Sequence, residues 1–579
     1  MPEVITNNLD LWTSALLTRS TAGRGTNGKL EAYGIKKLRG LILELAVRGK
    51  LVPQDPRDEP ASTQLDKMAE SQARLIVEGV IKTQPQLAEI EDEKKPFEIP
   101  DRWVWLRLGE LGYTQTGGTP SKTNPSNFGN DIPFIKPGDI YPNYVDYGNE
   151  GLSHEGQLEL GRIAPANSIL MVCIGTIGKC NSIDRPCAFN QQINSITPYI
   201  PITGYLLKAI SSNYFQSEAW QQSSSTTIAI LNKGKWNDII VPIPPIREQH
   251  RIVAKVDELM AMCDQLEQRQ TDNIEAHQTL VENLLGTLTN VESQQELNDA
   301  WNRIADHFDT LFTTEQSIDQ FKQTILQLAV MGKLVPQDPS DEPASVLLEK
   351  VTAEKQRLIK AKEIQQARKL PAINADAMPF RLPTKWQWAH VWDVAKVITS
   401  GSRDWAKYYS DNGAIFVTMG NLSRGDYKLR LDSIRYVSPP EDGEGSRTLL
   451  EANDLLISIT GDVGNLGLIP DDFGEAYINQ HTCLLRFMPY CQNRYFPELL
   501  RSPWAKYQFD APQRGVKNSF RLSDVGEMII PIPPLAEQHR IVAKVNELIA
   551  LCDALKARLA AAQTTQIHLA DTIVEQAVV

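Results

Sequence analysis

The chain is poor in several features that would settle its class quickly. No apolar run approaches the roughly 18 residues of a membrane-crossing helix, and the start, Met1-Pro2-Glu3-Val4-Ile5, has neither the basic nor the apolar region of a secretory signal. There are 7 cysteines in 579 residues. They are scattered and form no C-x-x-C pair, so no structural zinc motif is expected, and a reduced, cytoplasmic chain is. Cys173, Cys180 and Cys187 stand seven apart, a spacing that suits buried free thiols better than metal ligands. Positive charge is also short: 59 Lys and Arg face 71 Asp and Glu, a net charge of −12. Taken alone, that figure argues against a nucleic-acid binder.

Catalytic motifs are missing as well. Gly175-Thr176-Ile177-Gly178-Lys179-Cys180 has the wrong spacing for a P-loop and lacks its hydroxyl, and no Rossmann glycine pattern follows a strand. Asn124-Pro125-Ser126-Asn127-Phe128 is not an amino-methyltransferase loop, and Pro470-Asp471-Asp472 has no following Glu-x-Lys of a nuclease metal site. His250 and His539 recur in Glu-Gln-His but stand at helix starts without triad partners, which fits surface or capping residues.

What is present is an ordinary folded composition, 42% hydrophobic and 22% charged. The length exceeds what a single core supports, so two or more domains are expected. A repeat organises them. Ala46 to Ser62 matches Ala329 to Ser345 at 15 of 17 positions, and Pro242 to Asp264 matches Pro531 to Asp553 at 18 of 23. A shorter pair is PFEIPDRWVW from Pro96 and PFRLPTKWQW from Pro379. The repeats bracket two divergent segments that keep a thin common skeleton: Gly175-x-x-Gly178 with Gly461-x-x-Gly464, Asn190-Gln191 with Asn479-Gln480, and Phe134 with Phe416. One fold carrying two different surfaces is expected. The segments are 1–96, 97–245, 246–379, 380–534 and 535–579.

Ile252, Val256, Leu259, Cys263 and Leu266 step by four and three, as do Ile541, Val545, Leu548, Cys552 and Leu555; Leu559, Ala562, Leu569 and Ile573 extend the second seam. Heptad spacing predicts a helix packed lengthwise on another, over about 246–288 in the first copy. Its expected partner carries Ile318, Phe321, Ile325 and Leu328, with Ile35, Leu38, Ile42 and Leu45 as the N-terminal equivalent. If the C-terminal helix packs on the N-terminal region as the central pair does, the repeat closes with pseudo-two-fold symmetry. Trp103/Trp105 and Trp386/Trp388 read as the opening strand of each domain, packed rather than stacked on bases.

Loops rich in Gly, Ser, Thr, Asn, Lys and Arg suit phosphate and base-edge contacts, and are equally compatible with solvated turns. In the first domain the candidates are Thr119, Ser121, Lys122, Lys136, Thr226, Thr227, Asn232 and Lys233. In the second they are Ser402, Arg403, Lys407, Arg424, Arg514, Lys517, Asn518 and Arg521.

This layout resembles the DNA-specificity (S) subunits of type I restriction–modification systems, in its arrangement most like the type IB branch. The carriers are the Pro-Phe-x-x-Pro-x-x-Trp-x-Trp motifs, the Gly-Gly-Thr-Pro-Ser loop at 117–121, the Gly-x-x-Gly and Asn-Gln pairs, and the Pro-x-Pro-Pro-x-x-Glu-Gln motifs at 242 and 531. The second domain departs at 400–401, where Ser-Gly replaces Gly-Gly.

The resemblance implies an α+β protein: two α/β target-recognition domains separated by antiparallel coiled-coil-like helices, with a pseudo-two-fold internal repeat. It implies a non-catalytic partner of double-stranded DNA that reads a split, asymmetric target and docks two methylation subunits, with restriction subunits joining. S-adenosylmethionine, ATP and Mg belong to those partners, and this chain would bind no cofactor and no metal. The charge objection also softens. Segment 246–379 carries 14 basic against 22 acidic residues, whereas 97–245 has 10 against 12 and 380–534 has 17 against 18. The chain alone is therefore expected to hold DNA weakly, and the assembled complex well.

Overall fold

The first heptad seam lies on a helix of 45 residues, Ile246–Asn290, and the second on a helix of 44, Leu535–Val578. At 1.5 Å per residue each is roughly 65 Å long. The computed structural model describes residues 3–19, 29–83, 89–224, 228–366, 370, 372–439, 445–511 and 519–578. Contacts divide the chain into two units, Met1–Ile274 with Ala561–Val579, and Glu275–Ala560. Each long helix thus begins in one unit and ends in the other. No helix among the described residues is long and apolar enough to cross a membrane.

In the first unit the helix Tyr33–Val47 buries Ile35, Leu38, Ile42 and Leu45. They share one core with Ile252, Val256, Leu259 and Cys263 from the start of one long helix and Ala570 from the end of the other. Arg39 pairs with Asp264 and Glu267, both at 2.7 Å, and Lys37 with Asp571 at 2.7 Å. The second unit repeats the arrangement around the helix Glu315–Val330. There Ile318, Phe321, Ile325 and Leu328 meet Ile541, Val545 and Cys552 on one side and Val281, Leu285 and Leu288 on the other. Lys322 pairs with Asp553, and Gln320 donates to Glu282 at 3.0 Å. In repeat register, Arg39–Asp264 corresponds to Lys322–Asp553, and Lys37–Asp571 to Gln320–Glu282. The C-terminal helix therefore docks on the first helical region as the end of the central helix docks on its own.

One stretch of the expected seam is corrected. Ala562 and Leu569 are exposed, while Ala570 is buried and Ile573, Val574 and Ala577 pack beside it. A straight helix drifts against a seven-residue repeat, and past residue 560 this one leaves the second unit's core for the first's, presenting another face.

Each unit carries a mixed helix-and-sheet domain on the same scaffold. Its neck is a two-stranded antiparallel ribbon: Val104–Arg107 with Ile240–Ile243, and Gln387–His390 with Ile529–Ile532. Beyond the neck lies a four-stranded antiparallel sheet. Its order is Gly112–Thr116, Ile193–Pro198, Ile169–Val172, Cys180–Ser182 in the first domain, and Ala395–Ser400, Thr482–Phe487, Leu455–Ser458, Leu466–Leu468 in the second. The central strands Ile169–Val172 and Leu455–Ser458 are buried along their whole length, which explains their unbroken apolar run before any polar residue.

A second sheet pairs Phe128–Ile135 in parallel with Ala188–Phe189, and Ala414–Val417 with Ala476–Ile478. Phe134 and Phe416 occupy the same place in it. The second domain adds a short strand, Tyr409–Ser410, with no counterpart among the described residues of the first.

The duplicated motifs converge at the neck. Glu248 is 1% exposed and accepts hydrogen bonds from the Trp103 indole at 3.1 Å and from the Gln54 amide at 2.6 Å. Glu537 accepts from Trp386 at 3.0 Å and Gln337 at 2.6 Å. Arg251 pairs with Asp58 and Arg540 with Asp341. Burial raises both Glu248 and Glu537 above the usual carboxylate range. Gly49 and Gly332, in the duplicated Gly-Lys-Leu-Val-Pro-Gln turns, have φ of +68° and +69°, and a Cβ on either would fall 2.5 Å from a ring carbon of Pro100 or Pro383. So Gly49, Gln54, Trp103 and Glu248, drawn from three separate motifs, build one joint, and it is built twice.

The tryptophans accordingly pack. Trp105 meets Phe97 and Tyr214 edge-on, and Trp388 meets Phe380 and Trp504. His250 and His539 are exposed on the first turns of their helices. All seven cysteines are free; Cys180 is half-buried and the other six are buried, and burial pushes the Cys173 and Cys187 thiols up to about 12.

Candidate nucleic-acid interface

Where the two sheets of a recognition domain meet, the chain crosses from one to the other through the Asn-Gln turn. Asn190 follows Ala188–Phe189 and leads into Ile193–Pro198; Asn479 follows Ala476–Ile478 and leads into Thr482–Phe487. The asparagine oxygen closes the turn by accepting from the backbone two residues on, Gln192 at 3.1 Å and His481 at 3.0 Å. Gly117 and Gly401 pass directly against it: an added Cβ would sit 2.1 Å from the Asn190 carbonyl oxygen or 1.9 Å from that of Ile478.

This contact corrects the register of the Gly-Gly loop. In the sheets, Thr116 pairs with Asn194 and Ser400 with Cys483, so Ser400 corresponds to Thr116 and Gly401 to Gly117. The true departure is Ser402 in place of Gly118.

The Gly-x-x-Gly turns lie alongside. All four glycines have positive φ, +81° and +102° at Gly175 and Gly178, +71° and +87° at Gly461 and Gly464, a conformation that other residues adopt only with strain. In the first domain the 228–231 segment adds to this turn, with Gly175 donating to the Ala229 carbonyl at 2.9 Å and Leu231 to Cys173 at 2.8 Å. In the second, Phe520 donates to Ile459 at 2.8 Å. The late polar loop of each domain is thus fastened beside the glycine turn.

Several of the sequence candidates gather at this end of their domain. Thr119 donates to the Gln191 side chain at 2.7 Å. Ser121 bonds Thr123, its backbone N–H donates to Glu159 at 2.8 Å, and Lys122 is exposed beside it. Lys136 forms an ion pair with Glu150, which holds its charge locally. Asn232 is spent as a helix cap, accepting from the Lys235 N–H at 2.9 Å, and Lys233 is exposed.

In the second domain Ser402 is half-buried and Arg403 exposed. Lys407 is exposed with its ammonium 4.9 Å from the Tyr408 ring centre. Arg424 is paired with Asp462 and reaches Asn465 at 3.4 Å. Arg521 is exposed and precedes the short helix Leu522–Glu527. Thr226, Thr227, Arg514, Lys517 and Asn518 lie outside the described residues.

Sequence reading passed over residues that share this surface. Gln191 and Gln480 were noted as skeleton and not as contacts. Lys179 is exposed and donates to the Pro137 carbonyl at 2.7 Å. Near it stand Tyr141 and Tyr144, 39% and 55% exposed, with rings stacked 4.6 Å apart at 9°. Nothing in the local sequence announced that pair; a hairpin in which Tyr141 donates to the Tyr144 carbonyl at 2.9 Å brings the rings together. Among the described residues no group of three or more His, Cys, Asp or Glu is placed to hold a metal ion.

The family model for the type I restriction modification DNA specificity domain matches residues 100–276 and 383–562, a recognition domain and most of its following helix each time. The specificity subunit of the type I restriction enzyme EcoAI from Escherichia coli is 36% identical over 600 residues, covering 100% of this chain and 99% of its own length. That of EcoEI, also from Escherichia coli, is 35% identical over 621 residues, covering 99% of each. A solved type I R-M chain overlays 83% of this chain and 99% of its own with a TM-score of 0.48 at 17% identity, a likeness too loose to carry an argument.

Proposed function

The chain belongs to the family of type I restriction–modification specificity subunits, and we propose that each of its two recognition domains reads one half of a bipartite, asymmetric DNA target. The observation that carries this reading is the pairing of a repeated scaffold with divergent loops. Strand order, neck joint and turn glycines repeat, while one domain carries Thr119, Ser121 and Lys122 in its early loop and the other carries Ser402, Arg403 and Lys407. Identical domains would specify a palindrome; unlike ones specify two different half-sites.

The duplicated necks and helix starts offer two equivalent docking places, which suits two copies of one methylation subunit. S-adenosylmethionine binding and methyl transfer then fall to those subunits, and ATP-driven steps to restriction subunits that join them; this chain supplies recognition. The long helices act as the ruler for the non-specific spacer. Lengthening one by about 4 residues adds roughly 6 Å, enough for one or two base pairs.

Methylome sequencing of cells carrying this chain with its methylation subunit tests the reading. The expected result is one methylated motif with two unlike halves and a fixed gap. A continuous or palindromic motif overturns it. The purified chain alone should bind the motif poorly, and the complex well.

A further inference from the structure

Asn190-Gln191 and Asn479-Gln480 survive where almost everything around them has diverged. The asparagine has a structural reason, since it closes the turn between the sheets. The glutamine amide makes no bond to the backbone of that turn. Among the described residues Gln191 bonds only the Thr119 hydroxyl, at 2.7 Å, and Gln480 only the neighbouring His481 ring, at 2.9 Å. Two unrelated neighbours hold the two amides, so the glutamine is not retained for either of them. Each such bond occupies one atom of a group with two N–H donors and an acceptor oxygen, so each amide keeps at least one N–H unused. Gln191 is exposed and Gln480 half-buried. Each lies between the turn residue against which the Gly117 or Gly401 loop passes and a residue whose carbonyl accepts from the strand leading to the glycine turn, Gln192 from Cys173 at 2.8 Å and His481 from Ile459 at 3.0 Å.

A side chain kept in two domains that read different sequences is not selecting the bases that differ. It must meet something both half-sites offer. The feature common to the two amides is an unused N–H donor, and the acceptor common to any two stretches of duplex is a phosphate oxygen. We propose that Gln191 and Gln480 are equivalent phosphate contacts, one per half-site, which set the register of each recognition domain on the DNA backbone. This rests on the reading of the preceding subsection.

The test uses the full complex of this chain with its methylation subunits, a duplex bearing the methylated motif, and a scrambled duplex of equal length. Gln191→Ala and Gln480→Ala should each weaken binding three- to ten-fold on both duplexes. The slope against salt should stay unchanged, because a neutral side chain displaces no counterion. The methylated motif should be the same as wild type. Gln191→Glu and Gln480→Glu should weaken binding further, whereas Gln191→Lys and Gln480→Lys, which keep an N–H donor, should restore it and steepen the salt slope by about 1.

Unchanged affinity in both alanine variants overturns the proposal, and so does a motif altered in the corresponding half-site, which would mean base reading. Failure of the lysine variants to recover binding would show that the glutamines are only structural. If the wild-type complex yields no bipartite motif, the reading of the chain's function fails instead.

Discussion

In the first recognition domain Ser168 and Thr197 share a hydroxyl–hydroxyl hydrogen bond of 2.7 Å. The equivalent places in the second are taken by Asp454 and Arg486. Each first residue follows an asparagine at φ +66°, and each second is the fifth residue of the strand next to the opening one. Arg486 grips the fully buried Asp454 through two bonds of 2.7 Å and reaches on to Glu451 at 2.5 Å and the Leu449 carbonyl at 3.0 Å. The same sheet corner is a neutral contact in one domain and an ion-paired clamp in the other. The clamp holds the 449–451 stretch to the sheet, beside a second sheet that has one strand more. At the necks, by contrast, the bonds to Glu248 and Glu537 and the Arg251–Asp58 and Arg540–Asp341 pairs recur. The joint to the helices is held constant, while the body of the domain is free to change its means of support.

This contrast can be broken in order of expected effect. Trp103→Ala and Trp386→Ala each remove a buried indole and leave Glu248 or Glu537 with one of its two donors. Both should cost about 4 kcal/mol, and the two losses should agree within about 1 kcal/mol in denaturant unfolding. Unequal losses would mean that the joints are alike in geometry and not in energy.

Arg486→Ala strands a buried carboxylate and should cost about 3 kcal/mol. Thr197→Ala should cost about 1 kcal/mol. Similar values would dissolve the distinction between the two interiors.

On the outer surface the effects should separate by half-site. Lys122→Ala should weaken the complex, about 5-fold to 10-fold, only through the half read by the first domain, and Arg403→Ala only through the other. Competition with duplexes altered in one half at a time measures this, and a variant that disturbs both halves equally would refute the division of labour.

The smallest effect concerns pH. Glu248 and Glu537 are raised by burial, so their contribution to stability is complete below the ordinary carboxylate pKa and is lost as pH rises through the raised one. Glu248→Gln and Glu537→Gln should each flatten the fall in unfolding midpoint just above the usual carboxylate range, and to the same extent.

Much of this was legible beforehand, because the information was written twice. The repeat located both long helices to within a few residues and named the stripes Ile35 to Leu45 and Ile318 to Leu328 that bury. The packing of Trp103 was legible, but nothing in its motif named Glu248 as its partner. A hydrogen bond between residues 145 apart in sequence leaves no trace in local pattern. The site was less legible. Exposure and charge type pointed to Lys122 and Arg403, but nothing in composition said that Lys136 would be paired with Glu150 or that Asn232 would serve as a helix cap. The Ser400–Gly401 alignment slipped by one because two glycines in a row offer two registers, and only the close approach to Ile478 chooses between them. The C-terminal seam was misphased because a heptad count assumes one partner throughout, and this helix changes partners.

That change of partners has a consequence for how the molecule is made. The second unit is complete once residue 560 has been synthesised. The first, although begun at the N-terminus, waits for the last segment of the chain, since Lys37 and Tyr33 meet Asp571 and the first core includes Ala570. The first core is thus closed by residues that are synthesised after the whole of the second unit. A chain lacking only the residues after 560 would carry a finished second half and an open first one.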